Sequence, residues 1–162
     1  IGDVGAKALA EAVRVSGSLV TLRLSNNQIG NEGAKALAEA VSVSGSLVTL
    51  FLGANNIGDE GVKALAAGVA SSGSLVTLGL QSNQISDEGA KALAGAVRVS
   101  NSLVRLELHQ CNRIGDVGAK ALAAGVASSG SLALKKLVVP YAIYKHAELV
   151  AACKSKGVKL SL

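Results

Sequence analysis

Side chains able to do covalent or metal chemistry are few in this chain of 162 residues. His109 and Cys111 stand two positions apart in LELHQCNRIGDVG, residues 106–118, and His146 and Cys153 lie near the C-terminus. A Cys-His nucleophile requires the two side chains to converge, with a third group orienting the imidazole. A zinc site requires more ligands than either pair offers. The chain has no phosphate-cradling Gly-Lys-Ser loop, no paired His at helical spacing and no convergent acid pair. The residues therefore predict no catalytic, cofactor-binding or metal-ligating site, no cofactor, and a protein that is not an enzyme.

What would position these residues is a repeat. SLVTLRL starts at Ser18, SLVTLFL at Ser46, SLVTLGL at Ser74 and SLVRLEL at Ser102, each 28 residues after the last. KALAAGVASSGSL occurs unchanged at 63–75 and 120–132, a step of 57 that contains one inserted residue within the 106–118 stretch. Inside each unit the apolar period changes. Leu22 and Leu24, Leu50 and Leu52, and Leu78 and Leu80 alternate as in a half-buried strand. Ala34, Leu37, Ala38 and Val41 then follow the i, i+3, i+4, i+7 pattern of an amphipathic helix, and later units copy it. Asp59, Asp87 and Asp116 are expected at the helix N-caps. One such unit cannot bury its own apolar face, so neighbours must stack.

The LxxLxLxxN frame at Leu19, Leu22, Leu24 and Asn27 recurs at Leu47, Leu50, Leu52, Asn55 and at Leu75, Leu78, Leu80, Asn83. It resembles a leucine-rich repeat, and the 28-residue length with its IGDEGAKALA-type helix resembles the ribonuclease-inhibitor-like subclass. The resemblance covers roughly residues 1–139. It implies an α/β fold: a curved solenoid, a horseshoe fragment, with a parallel sheet on the concave face and helices on the convex face. The organisation expected is repeats over 1–139, about five units of 28–29 residues with the first lacking its strand, then a C-terminal cap over 140–162. LKKLVV at 134–139 reads as a last strand displaced by two residues. YAIYKHAELVAACKSK reads as one longer helix stopped by Gly157, and VKLSL as a closing strand.

Within that frame the opening residues lose their chemistry. Strand parity turns Leu106 and Leu108 inward and His109 outward, so His109 and Cys111 diverge. Asn27, Asn55 and Asn83 share one turn position, where they are expected to satisfy backbone groups of adjacent turns. Cys111 falls at the next such position. The resembled family accepts 29-residue units with Cys there, which implies a buried structural rung.

The residues interleaved with the strand leucines form the expected concave columns: Thr21, Arg23, Ser25; Thr49, Phe51, Gly53; Thr77, Gly79, Gln81; Arg105, Glu107, His109; then Lys136 and Val138. The repeats differ most at these positions. Repeat solenoids use the concave surface for binding, and interface anchors favour aromatics and Arg. Arg23, Phe51, Gln81, Arg105, Glu107 and His109 are therefore the candidate partner-binding residues, and a non-catalytic protein–protein interaction module is the first reading. Two alternatives stand beside it. One is a structural or docking subunit of a larger assembly. The other is the repeat fragment of an NLR-type immune receptor or of a GTPase-activating protein.

Composition narrows the partners to a protein of unknown identity. Residues 1–134 hold ten basic and ten acidic side chains, so the net charge of +5 comes from 135–162, where six lysines face the single Glu148. That is a local patch, not the basic stripe of a nucleic-acid-binding domain. No apolar run approaches the ~20 residues of a membrane span, so no membrane insertion is expected. Two cysteines, no secretory signal and no Asn-x-Ser/Thr site lean towards an intracellular setting. The chain has no Met, even at position 1, and its first half-repeat lacks a strand. It is therefore expected to be a processed product or a piece of a longer protein, with missing N-terminal repeats or an assembly neighbour covering the first repeat.

Overall fold

The computed structural model describes residues 1–110, 112–129 and 133–162. Its elements run α1 (Asp3–Val15), β1 (Thr21–Arg23), α2 (Asn31–Val43), β2 (Thr49–Phe51), α3 (Asp59–Ser71), β3 (Thr77–Gly79), α4 (Asp87–Val99), β4 (Arg105–Glu107), α5 (Asp116–Ser128), β5 (Lys136–Val138), α6 (Tyr141–Tyr144), α7 (Ala147–Lys156) and β6 (Lys159–Ser161). All six strands pair in chain order as one parallel sheet. Each of α1–α4 packs on the helix that follows, and α5 packs on α7. Strands sit about 4.8 Å apart and packed helices about 8–10 Å apart. The helix layer therefore takes the outer radius and the sheet becomes the concave face.

Leu50, Leu78, Leu106 and Leu137 are fully buried between the layers, with Leu37, Leu65, Leu93 and Leu122 facing them from the helices. Each such side chain contributes about 2 kcal/mol when buried. The core is thus built from many equivalent small contacts, as a chain with three aromatic residues requires.

Two polar ladders lock the repeats together. In the first, Asn55 Nδ2 donates to Leu24 O (2.9 Å) and Leu52 O (3.0 Å), while its Oδ1 accepts from Ile29 N (3.0 Å). Asn83 makes the same bonds to Leu52 O, Leu80 O and Ile57 N. A rung therefore satisfies backbone groups in two successive turns. The next rung corrects the expectation for Cys111. Asn112 fills it, donating to Leu80 O (3.1 Å) and Leu108 O (2.9 Å) and accepting from Ile85 N (3.2 Å). The inserted residue enters before the rung, and a single carboxamide can both donate and accept here where a thiol does so only weakly. Cys111 itself lies outside the described residues.

The second ladder corrects the helix caps. The N-cap residues are Gly58, Ser86 and Gly115, and Asp59, Asp87 and Asp116 are each the first helical residue. The side chains of Asp59 and Asp87 serve the next repeat instead, and Asp3 and Asn31 do so at the same position in earlier repeats. Asp3 Oδ1 accepts from Gly30 N (2.7 Å) and Gly33 N (2.9 Å), Asn31 Oδ1 from Gly58 N and Gly61 N, Asp59 Oδ1 from Ser86 N and Gly89 N, and Asp87 Oδ1 from Gly115 N and Gly118 N. The starts of α2 to α5 are each capped from the unit before, which couples helix formation to stacking. A Cβ at Gly61 would come within 2.9 Å of the clamping Asn31 Oδ1. The glycine of each DEG-type turn is thus a close-approach position, not only a turn former.

Beyond β5 the single long helix expected over 141–156 divides. α6 is one turn of four residues, and His146 adopts an extended conformation (φ −61°, ψ 120°) as the N-cap of α7. Ile143 and Leu149 are both buried, and the break lets the two short helices each turn an apolar side chain inward. Gly157 ends α7 in the left-handed conformation (φ 68°), and β6 closes the sheet edge, both as the sequence predicts. No helix is long and apolar enough to cross a membrane among the described residues.

Candidate functional site

The strand register places the interleaved residues in two rows across the concave face. One row reads Thr21, Thr49, Thr77, Arg105, Lys136, Lys159, and the other Arg23, Phe51, Gly79, Glu107, Val138, Ser161. The six candidate anchors all lie on or just beyond these strands, but not all of them reach solvent equally.

Arg23 and Phe51, on adjacent strands, form one contact: the guanidinium carbon sits 4.8 Å from the ring centroid. The ring leans over the next strand, where a Cβ at Gly79 would collide with it. Gln81 lies in the same way over Gly53. The two glycines therefore make a floor on which larger neighbours lie flat. Arg23 is exposed and Phe51 half-buried, an arrangement in which the cation both shields and polarises the aromatic face.

Arg105 and Glu107 pair within β4, with Nε and Nη2 of the guanidinium both directed at Glu107 Oε1. Glu107 is only 6% exposed, because Arg105 lies across it. Gly53 and Gly79 are also buried, and Val138 is 4% exposed. These four positions are corrections to the expectation of open columns: Gln81 lies over Gly53, Phe51 over Gly79 and Arg105 over Glu107. Gln81 Oε1 and His109 Nδ1 are shielded from solvent without a hydrogen-bond partner among the described residues. Buried polar atoms of this kind are uncommon.

The convex face is different in kind. Lys35, Lys63 and Lys91 each pair with the glutamate three residues earlier, Glu32, Glu60 and Glu88, in exposed ion pairs. The hydrogen bond and charge of Lys35 hold the Glu32 carboxyl below its usual range, and Lys63 does the same for Glu60. Such exposed pairs add little stability. Their regularity marks a solvated surface.

The remaining chemistry-bearing residues do not converge on one another. His146 Nε2 meets Asp116 Oδ1 at 2.8 Å, and Asp116 Oδ2 takes Lys120 Nζ at 2.9 Å. Those two contacts, Lys120 first, hold the Asp116 carboxyl below the ordinary aspartate range. Asp116 stands where Asp87 and Asp59 clamp the next helix, so His146 takes the part that backbone amides play in earlier repeats. Cys153 is free and buried, and burial pushes its thiol up to about 11, away from the reactive thiolate. A shallow groove of about 800 Å³ runs past it along α7 and β6, lined by Tyr144, Val150 and Leu160, and lies apart from the concave rows. No cluster of three or more His, Cys, Asp or Glu side chains able to hold a metal ion occurs among the described residues.

The trans clamp of Asp3, Asn31, Asp59 and Asp87, the Asn112 rung and the Asp116–His146 contact were not read from the sequence. A signal for the clamp was present: Asp or Asn recurs at one repeat position, two residues before a glycine that is buried from Gly33 onward.

A family sequence model described as Leucine Rich repeat matches residues 16–38, 45–66, 72–94 and 99–123. No curated protein sequence matches the chain significantly. Among solved structures, leiomodin-1 actin-binding site 2 superimposes with a TM-score of 0.79 at 18% identity, covering 94% of this chain and 86% of that one. The tropomodulin C-terminal domain of Caenorhabditis elegans superimposes with a TM-score of 0.75, also at 18% identity, covering 93% and 92%. At that identity the likeness is one of fold. The family match over more than half the residues, with the stacked strand–turn–helix units and the asparagine rungs, places the chain in the leucine-rich repeat family.

Proposed function

We propose that this chain is a non-catalytic protein-recognition module that binds its partner through the concave sheet face. The observation that carries the reading is the contrast in residue use. Helices and turns are near copies from repeat to repeat, while the concave positions hold Arg23 on Phe51, Gln81 over Gly53, and Arg105 on Glu107, no two alike. A rigid surface with a stacked aromatic, a guanidinium pair and shielded polar atoms at Gln81 and His109 suits recognition by shape and charge. A standard interface takes about 800 Å² from each partner, so most of the strands would contribute. The division into repeats over 1–139 and a cap over 140–162 belongs to the same proposal, the cap closing the sheet edge beyond the binding strands.

The test compares the chain with a variant carrying Arg23→Ala, Phe51→Ala and Arg105→Ala, immobilised and exposed to cell extract, with recovered proteins quantified by mass spectrometry. The variant is expected to lose the specific partner. Equal recovery on both would overturn concave-face binding. The leiomodin-1 neighbour is an actin-binding site, and co-sedimentation with filamentous actin tests whether the partner is shared.

A second reading, a docking subunit of a larger assembly, is favoured by one observation. Leu9, Leu19 and Leu22 are half-buried, whereas their equivalents Leu37, Leu47 and Leu50 are at most 1% exposed. Sedimentation of the isolated chain separates the readings: a stable monomer counts against assembly through that face.

A further inference from the structure

Three cations stand in one row on the concave face. Arg105, Lys136 and Lys159 are register partners on β4, β5 and β6, so their Cα atoms follow one another at about the strand spacing of 4.8 Å. Like charges directly opposite on adjacent strands are unfavourable. Elsewhere the chain avoids this: the convex Lys35, Lys63, Lys91 and Lys120 each have a carboxylate partner. Glu107 offsets Arg105 through one oxygen only, leaving guanidinium donors free. Lys136 and Lys159 take part in no ion pair among the described residues. The first half of the same row is neutral, Thr21, Thr49 and Thr77.

We propose, resting on the concave-face reading, that this row receives an acidic α-helix of a protein partner, laid across the strands with carboxylates one turn apart over Arg105, Lys136 and Lys159. The spacing selects the helix. Same-face side chains of an extended peptide recur every ~6.6 Å, too far for successive strands. Helical residues at i, i+3 or i+4, and i+7 rise about 4.5–6 Å per step, close to the strand interval. A helix about 10–12 Å across also suits an inward-curving sheet. Phe51 lies in the neighbouring row with its ring over Gly79 of β3, one strand before Arg105, so an apolar residue about one turn ahead of the first acid, on the flank turned towards that row, meets the part of the ring that Arg23 does not cover. A nucleic acid is the less favoured occupant. Stacking of bases needs open aromatic faces, and the Phe51 face is already covered by Arg23.

The test is selection of a displayed library of helical 20-residue peptides (~30 Å long) on the full chain, with a Lys136→Glu/Lys159→Glu variant as a second target. Both lysines reach solvent, so the variant should fold, which circular dichroism checks. Expected are peptides enriched in Asp or Glu at i, i+3 or i+4 and i+7, whose affinity drops about tenfold or more on the double variant. Amide shifts of the isotope-labelled chain on adding a selected peptide should centre on β4–β6. Selected peptides without that acidic spacing, affinity unchanged on the variant, no enrichment, or tighter binding of poly(U) RNA at the same amides would each overturn the proposal. Shifts on the concave strands that ignore the double variant would overturn the acidic helix and leave the concave-face reading standing. Shifts confined to the convex helices would overturn both.

Discussion

The turn interior and the sheet face are built from the same repeats by opposite rules. In the interior, one contact is made again and again: Asn55, Asn83 and Asn112 bind the same three kinds of backbone group. On the sheet face, matching positions hold Arg23, Phe51, Gly79 and Glu107, and each contact there occurs once. Repetition reflects a requirement of stacking that every unit shares. Variation is tolerated where stacking makes no demand, and that is where recognition can be written. The comparison predicts large, equal losses for substitutions in the copied interior and small ones on the varied face.

Its sharpest test is Asn83→Ala. The residue is 3% exposed, and its loss leaves the Ile57 N–H without its acceptor and takes one of two carboxamide donors from each of the Leu52 and Leu80 carbonyls, which Asn55 and Asn112 still serve. Unfolding in urea should show a loss of about 3–5 kcal/mol, with Asn55→Ala alike. Phe51→Ala on the sheet face should cost about 1 kcal/mol. Equal costs for the two positions would erase the distinction.

A second, smaller effect tests the helix seam. A Cβ at Gly68 of α3 would press into the backbone of Ala38 on the preceding helix. Gly68→Ala should therefore destabilise by about 1–3 kcal/mol despite alanine's higher helix propensity. Ala40 and Ala96 occupy the same repeat position in α2 and α4, fully buried, so the helix can shift and the fold should survive.

These cases show what the sequence made legible and where it stopped. The strand and helix periods, the asparagine rungs at 27, 55 and 83, and the concave parity followed from spacing, because a repeat states its own register several times. The rung at Asn112 did not. Cys111 lies 28 residues after Asn83 and Asn112 lies 29 after it, and only backbone geometry decides on which side of the rung an insertion falls. The clamp was hidden for another reason. Helix capping is a local preference, but Asp59 satisfies amides 27 and 30 residues ahead. The break at His146 escaped because the apolar pattern continues through it. On the face itself, the types and positions of Arg105 and Glu107 were legible, but not that one would cover the other.

The clamp also predicts a dependence on pH. Burial alone would raise the Asp59 carboxyl, but the Ser86 hydroxyl and the amides of Ser86 and Gly89 donate to it and hold it below the ordinary aspartate range. A carboxyl lowered on folding stabilises above its unfolded value, near 4, and that contribution is lost as pH falls through the folded value. Asp59→Asn keeps an acceptor oxygen, as Asn31 does naturally, and removes only the charge. The wild type should exceed the variant by about 1 kcal/mol at neutral pH, with the difference closing below about pH 4. A gap that widened on acidification would show that the clamp does not work through its charge.

The smallest effect reverses sign. Gly95 of α4 sits one residue before the seam position, exposed, and a Cβ there would meet nothing within 4 Å. The repeats place Glu39, Ala67 and Ala124 at the same position, so no shared contact requires glycine. Gly95→Ala should stabilise by about 0.5–1 kcal/mol through helix propensity and a less flexible unfolded chain. Two glycines in neighbouring helices then respond oppositely to one substitution, because Gly68 faces the copied interior and Gly95 faces solvent. Thermal melts of the two single variants read both signs directly. A loss at Gly95 would mean that stacking reaches further round the helix than the buried seam, and that the boundary between copied interior and free surface is drawn in the wrong place.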